Sequence, residues 1–418
     1  MIIQTSFMNR TLLSLLAGSV LVFGCSRKKT LADMSTEELR TYATELAGRF
    51  IIVDGHVDLP YMLQEKKVII SESTADTLVR TTMGEFDFER ARRGGLDAPF
   101  MSIYIPVKDQ GAPGYGKPLA DSLMNQVDAI IRLLPEKFAA AGTPDDVRKN
   151  TAAGKISLPM GMENGAPIGT DLENLRYFHE RGIRYITLTH NRDNQICDAS
   201  NDTTHTWNGL SPFGEKVVAE MNRLGIMVDI SHVDDSTFYD VMALSQAPVI
   251  ASHSSCRHFA PEAKRDVTDD MILKIRDNGG VIMINYYPNF LDSTARRLSA
   301  KLDALLKEKG LSDEDEAATP VKEQFWKENP RGVDAETVAD HIDHVRQLAG
   351  IDHVGLGSDY DGVGGNLPKG LEDVTTYPVL IEALLKRGYS EEDIEKVCSG
   401  NLFRVWTKVI QVSEAANR

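Results

Sequence analysis

Ile51-Ile52-Val53-Asp54-Gly55-His56-Val57-Asp58 is an apolar run of strand length, broken by a glycine, with a histidine and a carboxylate two residues apart at its end. In an extended chain, residues i and i+2 face the same side, so His56 and Asp58 are placed to hold one metal ion between them. Taken alone the pattern is weak, since His-x-Asp arises by chance and a solvated loop accounts for it more simply. Repetition gives it weight. Four more apolar runs end in a histidine or a glutamate, and a fifth ends in an aspartate.

Those runs set the fold. Residues 98–105 read as a second strand, 156–160 as a third that runs into Glu163, and 185–189 as a fourth followed at once by His190. Residues 226–230, 248–251, 280–285 and 353–357 complete the set, with His232, His253 and Asp359 beyond the fifth, sixth and eighth. Between them lie helical spacings at 120–141, 172–181, 212–224 (stopped by Gly225) and 271–278. Strand and helix alternate, which predicts a parallel sheet, and eight such strands predict a closed (β/α)8 TIM barrel. A leading helix is expected before Arg49, capped by Ser35 with Glu38 three residues on. Residues 291–334, with Leu298, Leu302, Leu305 and Leu306 at helical spacing, read as a helical insertion at the barrel rim between strands seven and eight. Its acidic run at 312–316 reads as solvated surface. Residues 378–386 and 391–407 read as closing helices.

Residues 1–24 stand apart. Arg10 precedes an apolar run (11–23) too short for a comfortable membrane span, which matches a secretory signal. Gly24-Cys25 at its end resembles a bacterial lipobox, implying cleavage before Cys25 and a lipid on that thiol, with an ordinary signal peptide as the alternative. The expected organisation is a lipoprotein-type signal (1–24), a linker and leading helix (25–49) and one catalytic domain (50–418), exported and lipid-anchored in a bacterial envelope. The net charge of −15 argues against nucleic acid or an anionic membrane surface as partner. Cys197, Cys256 and Cys398 remain, an odd number whose spacing matches no disulfide framework, so at most one bridge is expected.

In such a barrel the strand C-termini open onto one face, where the active site lies. His56, Asp58, Glu163, His190, His232, His253 and Asp359 should therefore converge. Of the ten histidines, His179, His205, His258 and His353 suit surface or packing roles, and His341 and His344 lie three apart on a helix that points away from the site. The converging histidines and carboxylates suit zinc or a similar divalent metal, and outnumber what one tetrahedral ion needs. Two ions bridged by Glu163 and a hydroxide use them better, and a shared hydroxide is nucleophilic at neutral pH, so the expected reaction class is hydrolysis.

Asp54-Gly-His56-Val-Asp58, Gly161-Met-Glu163, Thr187-Leu-Thr-His190-Asn191, Gly209-Leu-Ser-Pro-Phe-Gly214, Asp229-Ile-Ser-His232, Ser252-His253-Ser-Ser255 and Gly357-Ser-Asp359-Tyr-Asp-Gly362 together resemble the membrane (renal) dipeptidase family of dizinc peptidases, from about residue 51 to 406. The resemblance implies that His56 and Asp58 bind one zinc, that His232 and His253 bind the other, and that Glu163 bridges. It places the substrate histidine on His190, the arginine that receives the substrate carboxylate on Arg265, and the acidic proton shuttle on Asp359. It implies hydrolysis of dipeptides, L,L and L,D, and leaves a homodimer open. Three positions depart from the family pattern: Asn164 for a glycine, Asp266 for an asparagine, and Phe290 for a tyrosine that lines the substrate site. Other barrel amidohydrolases, acting on cyclic amides, lactones or phosphoesters, commonly carry His-x-His and a bridging lysine, which this chain lacks. A non-catalytic envelope binding protein is the remaining alternative, and the full ligand set argues against it.

Overall fold

The computed structural model describes Met1 and residues 30–112, 114–312 and 315–418; the expected export signal, Cys25 and part of the acidic run at 312–316 lie outside them. Eight strands form one sheet in chain order: β1 (Ile52–Val57), β2 (Leu96–Tyr104), β3 (Met160–Glu163), β4 (Ile183–Thr187), β5 (Met227–Asp229), β6 (Ile250–Ala251), β7 (Val281–Ile284) and β8 (Val354–Leu356). Each neighbouring pair is parallel. β8 returns to β1 through one bridge, Val57 to Tyr360, and two backbone bonds just beyond the strands. Asp359 N–H donates to the His56 carbonyl at 3.1 Å, and Asp58 N–H to that of Tyr360 at 2.8 Å. The molecule is the α/β barrel the alternation predicts, nearly closed.

Both faces of such a sheet are covered, which is why its strands are apolar throughout rather than alternating. Val281, Ile282, Met283 and Ile284 are all buried. Inside the barrel, Val53, Ala98, Phe100, Tyr185, Met227 and Val281 form a core with Phe403, Trp406 and Val409 of the helix Asn401–Ala416. Most of these positions lie early in their strands, so this helix plugs the end opposite the strand C-termini; the Trp406 ring packs at a tilt against Phe100, with ring centres 5.2 Å apart. The leading helix is Thr36–Arg49, with the expected reciprocal cap: Ser35 Oγ accepts from Glu38 N–H at 3.3 Å and Glu38 accepts from Ser35 N–H at 2.8 Å. The insertion forms the helices Ser293–Glu308 and Thr319–Glu328 around a small apolar cluster of Leu302, Leu306 and Ala318.

Proline explains two departures from the sequence reading, while the closing helix expected over 391–407 passes through a π turn at Lys396–Gly400 and continues as Asn401–Ala416. The helix expected over 120–141 runs Lys117–Leu133, because Leu134 precedes Pro135 and is pushed out of the helical region, to φ −125° and ψ 52°. The third strand is split at Pro159. Met160–Glu163 enters the barrel, while Ile156–Ser157 pairs separately with Phe138–Ala139. Among the described residues, no helix is long and apolar enough to cross a membrane. Cys197, Cys256 and Cys398 are buried free thiols.

Candidate metal centre

The strand ends bring the expected residues to one mouth. β1 supplies His56 and, one residue past it, Asp58; β3 ends on Glu163; and His190, His232, His253 and Asp359 follow β4, β5, β6 and β8 within three residues. Glu163 is the hub. Its Oε2 lies 3.4 Å from His56 Nε2, and its Oε1 lies 3.1 Å from His232 Nε2, 3.4 Å from His253 Nε2 and 3.6 Å from His190 Nε2. Asp58 Oδ2 is 3.3 Å from His56 Nε2, and the Nε2 atoms of His232 and His253 are 3.1 Å apart. His232 (φ 70°) and Asp359 (φ 66°) hold left-handed backbone, so the chain turns sharply after each strand and the side chain is re-aimed. Such positions cost about 1–3 kcal/mol each and are found where a site requires them.

Supporting residues fix which ring nitrogen faces inward. The Tyr185 hydroxyl donates to the Gly55 carbonyl at 3.1 Å, so it accepts from His56 Nδ1–H at 2.8 Å, which leaves His56 Nε2 as a lone pair. The ring of Tyr185 fits there because residue 161 is glycine; a Cβ would lie 2.0 Å from its Cζ. Ser252 Oγ donates to Asp229 Oδ2 at 2.6 Å and therefore accepts from His253 Nδ1–H at 2.7 Å, freeing His253 Nε2 in the same way. This second layer holds a ligand's ring and tautomer. Asp54 does the same for the backbone, accepting from His56 N–H at 2.9 Å and Ser358 N–H at 3.0 Å across the barrel seam.

The residues present fit a metal. His56 Nε2 and Asp58 Oδ1 are buried with no hydrogen-bond partner, an arrangement that is costly unless a cation satisfies them. Three overlapping sets each bring donor atoms within 4.8 Å of one another: His56, Asp58 and Glu163; Glu163, His190 and His232; and His56, His253 and Asp359. Burial pushes His232 and His253 well below the usual histidine range, which keeps them neutral as ligands must be. Burial would raise Glu163, but the imidazoles of His56, His190, His232 and His253 hold it well below the usual carboxylate range. His56 is lowered by burial, yet Tyr185, Asp58 and Glu163 together lift it well above its ordinary value.

Asp359 brings a carboxylate oxygen within 4.8 Å of ring nitrogens of His56 and His253. Burial pushes its carboxyl up to about 7, with His56 opposing, Asp58 and Glu163 reinforcing, and the Asn285 amide opposing through its hydrogen bond. Asn285 Nδ2 donates to Asp359 Oδ2 at 2.9 Å. Gly362 makes room for both carboxylates, since a Cβ there would stand 2.2 Å from Asp58 Oδ2 and 2.6 Å from Asp359 Oδ1. Arg265 is buried beside the cluster; its guanidinium donates to Ser254 Oγ at 2.6 Å and to the His253 carbonyl at 2.8 Å, and its Cζ lies 5.6 Å from the centre of the Phe290 ring. Asp266, which stands where the family pattern has asparagine, is itself buried and pushed by that burial up to about 7, so near neutral pH its carboxylate only partly offsets the neighbouring Arg265 guanidinium. Asn164 occupies a left-handed position, φ 75°, where asparagine is the best substitute for glycine, and its side chain bonds the Ile105 carbonyl at 3.0 Å.

Sequence reading missed the supporting layer. Tyr185, Asp229, Ser252 and Asn285 act here, as does Tyr104, whose ring packs edge-on to His190 at 4.8 Å. One signal was present: Asp54 and Asp229 each precede a candidate ligand histidine by two or three residues. Asn285 directly follows β7, which, like β2, carries no site residue in the sequence reading. His341 is buried and structural, accepting from Cys256 N–H at 3.0 Å and donating to the Leu291 carbonyl at 3.0 Å.

A parallel barrel that delivers histidines and carboxylates to one mouth, two of them unsatisfied without a cation, defines a metal-dependent hydrolase of the TIM-barrel type. Comparison with known proteins narrows the class. The model of the membrane dipeptidase family, peptidase family M19, matches residues 40–418, and the chain belongs to that family. It is 35% identical to mouse (Mus musculus) dipeptidase 3 over 388 residues, covering 91% of this chain and 69% of that protein. It is 36% identical to dipeptidase aclJ of Aspergillus oryzae, covering 79% of this chain and 72% of that one. Among solved structures, the probable dipeptidase PvdM from Pseudomonas aeruginosa superposes with a TM-score of 0.78 at 27% identity, over 90% of this chain and 99% of that one. A Rhodobacter sphaeroides metallopeptidase, liganded with a phosphinate mimic of the dipeptide L-Ala-D-Ala, superposes with a TM-score of 0.70 at 28% identity, over 86% and 99% of the two chains. The protein is a metallo-dipeptidase of the M19 family.

Proposed function

We propose that this enzyme is a two-zinc dipeptidase that cleaves L,L and L,D dipeptides. The observation that carries the reading is the division of labour at Glu163: one oxygen faces His56, whose Nε2 also meets Asp58, while the other faces His232 and His253. In this reading His56 and Asp58 hold one zinc, His232 and His253 hold the other, and Glu163 contacts both. Zinc held there supplies an activated water at neutral pH and polarises the scissile carbonyl. Arg265 receives the substrate's free carboxylate, its planar fork kept in one orientation by Ser254 and the His253 carbonyl. His190, half-buried and 3.6 Å from Glu163, donates to the oxyanion as the carbonyl becomes tetrahedral. Asp359, oriented by Asn285, takes a proton from the attacking water and returns it to the leaving amine, a task that suits a carboxyl near 7.

Acceptance of a C-terminal D-residue is supported by the phosphinate mimic of L-Ala-D-Ala bound to the Rhodobacter sphaeroides relative. Export, cleavage before Cys25, lipid attachment there and a place in a bacterial envelope rest on the reading of residues 1–25. A homodimer belongs to the same proposal. The test is amino-acid release from L,L and L,D dipeptides and tripeptides by purified residues 26–418, before and after chelation and zinc return. Chelator-sensitive, zinc-restored cleavage of dipeptides alone is expected. A folded, zinc-loaded protein that leaves every dipeptide intact would overturn the proposal and direct the search to lactones, cyclic amides and phosphoesters.

A further inference from the structure

A second group of ligand-type side chains meets away from the barrel mouth, where the loop after β6 crosses the helices Asp269–Asn278 and Ala335–Ala349. His344 Nε2 lies 2.7 Å from Asp269 Oδ1. The imidazole of His258 stacks on that of His344, with ring centres 4.4 Å apart and planes inclined by 25°. One donor atom from each of the three lies within 4.8 Å of the other two. Two nearly parallel imidazoles can aim their in-plane lone pairs the same way, and a carboxylate oxygen completes a set that suits zinc. Ligand atoms around a tetrahedral zinc stand about 3.3 Å apart, so the His344–Asp269 contact has to open by only about half an ångström. His258 and Asp269 are exposed, which gives water access to a fourth position.

A bare surface ion pair explains less. Such a pair contributes about 1 kcal/mol at most and gives no reason for a second imidazole in face contact. Two imidazoles in face contact can share one cation through their in-plane nitrogens. His341, one turn before His344, is not a further ligand, because both of its nitrogens are engaged by Cys256 and Leu291. Phe259 walls one side, its ring centre 4.9 Å from that of His258 and 5.5 Å from that of His344.

The position carries a consequence. His258 and Asp269 lie at the two ends of the loop whose middle carries Arg265, and its base is tied by Arg257 N–H to the Val267 carbonyl at 2.9 Å and by Val267 N–H to that of Ser255 at 3.0 Å. We propose that His258, Asp269 and His344 form a peripheral zinc-type cation site, separate from the barrel-mouth centre, that staples both ends of the Arg265 loop to the helix Ala335–Ala349.

The test is equilibrium dialysis of the zinc-loaded enzyme against micromolar free Zn2+, with metal analysis and melting curves for wild type, His258→Ala and His344→Ala. Wild type is expected to hold one more zinc per chain than either variant and to gain melting temperature from added Zn2+ that the variants do not gain. His258 is exposed, so His258→Ala keeps the test open if His344→Ala folds poorly. Equal zinc content in wild type and His258→Ala overturns the proposal. The comparison is a difference between variants and does not depend on activity, so its failure is distinguishable from failure of the two-zinc reading at the mouth.

Discussion

Gly362→Ala is the sharpest perturbation of the barrel mouth. The added methyl would sit 2.2 Å from Asp58 Oδ2 and 2.6 Å from Asp359 Oδ1, and nothing else lies closer than Asp58 Cγ at 3.1 Å. To restore even a 3.0 Å separation, Oδ2 must retreat by about 0.8 Å and Oδ1 by about 0.4 Å. The atoms that give way are the ends of two carboxylates, so the fold is spared while the proposed ligand Asp58 and the proposed proton shuttle Asp359 are displaced. A misplacement near 1 Å costs about 10²-fold in rate, or roughly 2.7 kcal/mol in the barrier. The expected result is therefore a kcat lowered about 100-fold and a zinc affinity lowered about 10- to 100-fold, with a melting temperature of the zinc-free protein within about 2 °C of wild type. Dipeptide hydrolysis in a zinc buffer, chelator competition and thermal melts of both proteins read these three quantities. Wild-type kcat and zinc affinity in a folded Gly362→Ala protein would refute the reasoning that these two carboxylates meet at a working centre.

Three further outcomes follow from the supporting layer and the core. Tyr185→Phe removes the acceptor for His56 Nδ1–H at 2.8 Å and should lower zinc affinity about 10- to 100-fold in chelator competition while leaving the fold intact. Asn285→Ala removes a donor that favours the ionised form of Asp359, so the limb of the kcat/KM profile set by Asp359 should move to higher pH by about half to one unit. An unmoved limb would remove Asp359 from the proton transfer. His341 is buried neutral, its value pushed from 6.5 down to about 4 by burial. Because the folded value is depressed, its contribution is present above 6.5 and is lost as pH falls toward 4, by about 3 kcal/mol. Urea unfolding of wild type should therefore weaken over that window more than that of His341→Gln, and parallel curves would contradict this.

Much of the fold was legible because parallel strands covered on both faces must be apolar throughout, and the runs at 226–230 and 280–285 are of that kind. Boundaries were less legible where proline acted at a distance from the pattern. The apolar spacing of 120–141 continues past Leu134, but Pro135 ends the helix and Pro159 divides the third strand. The residues of the mouth could be named from sequence because each lies in the last two residues of a strand or within three residues beyond it. The layer beneath them could not, since Tyr185 and Phe100 look alike as barrel-core aromatics and only the fold brings the Tyr185 hydroxyl to His56. The cluster of His258, Asp269 and His344 was equally hidden, because its members come from a loop and two helices and share no local motif.

The most direct measurement of the central claim is anomalous diffraction at the zinc edge from crystals of the zinc-loaded protein. Apart from any peak at the peripheral site of His258, Asp269 and His344, two peaks are expected on either side of the Glu163 carboxylate, one against His56 and Asp58 and the other against His232 and His253. Fewer than two peaks at Glu163 would contradict the two-metal account.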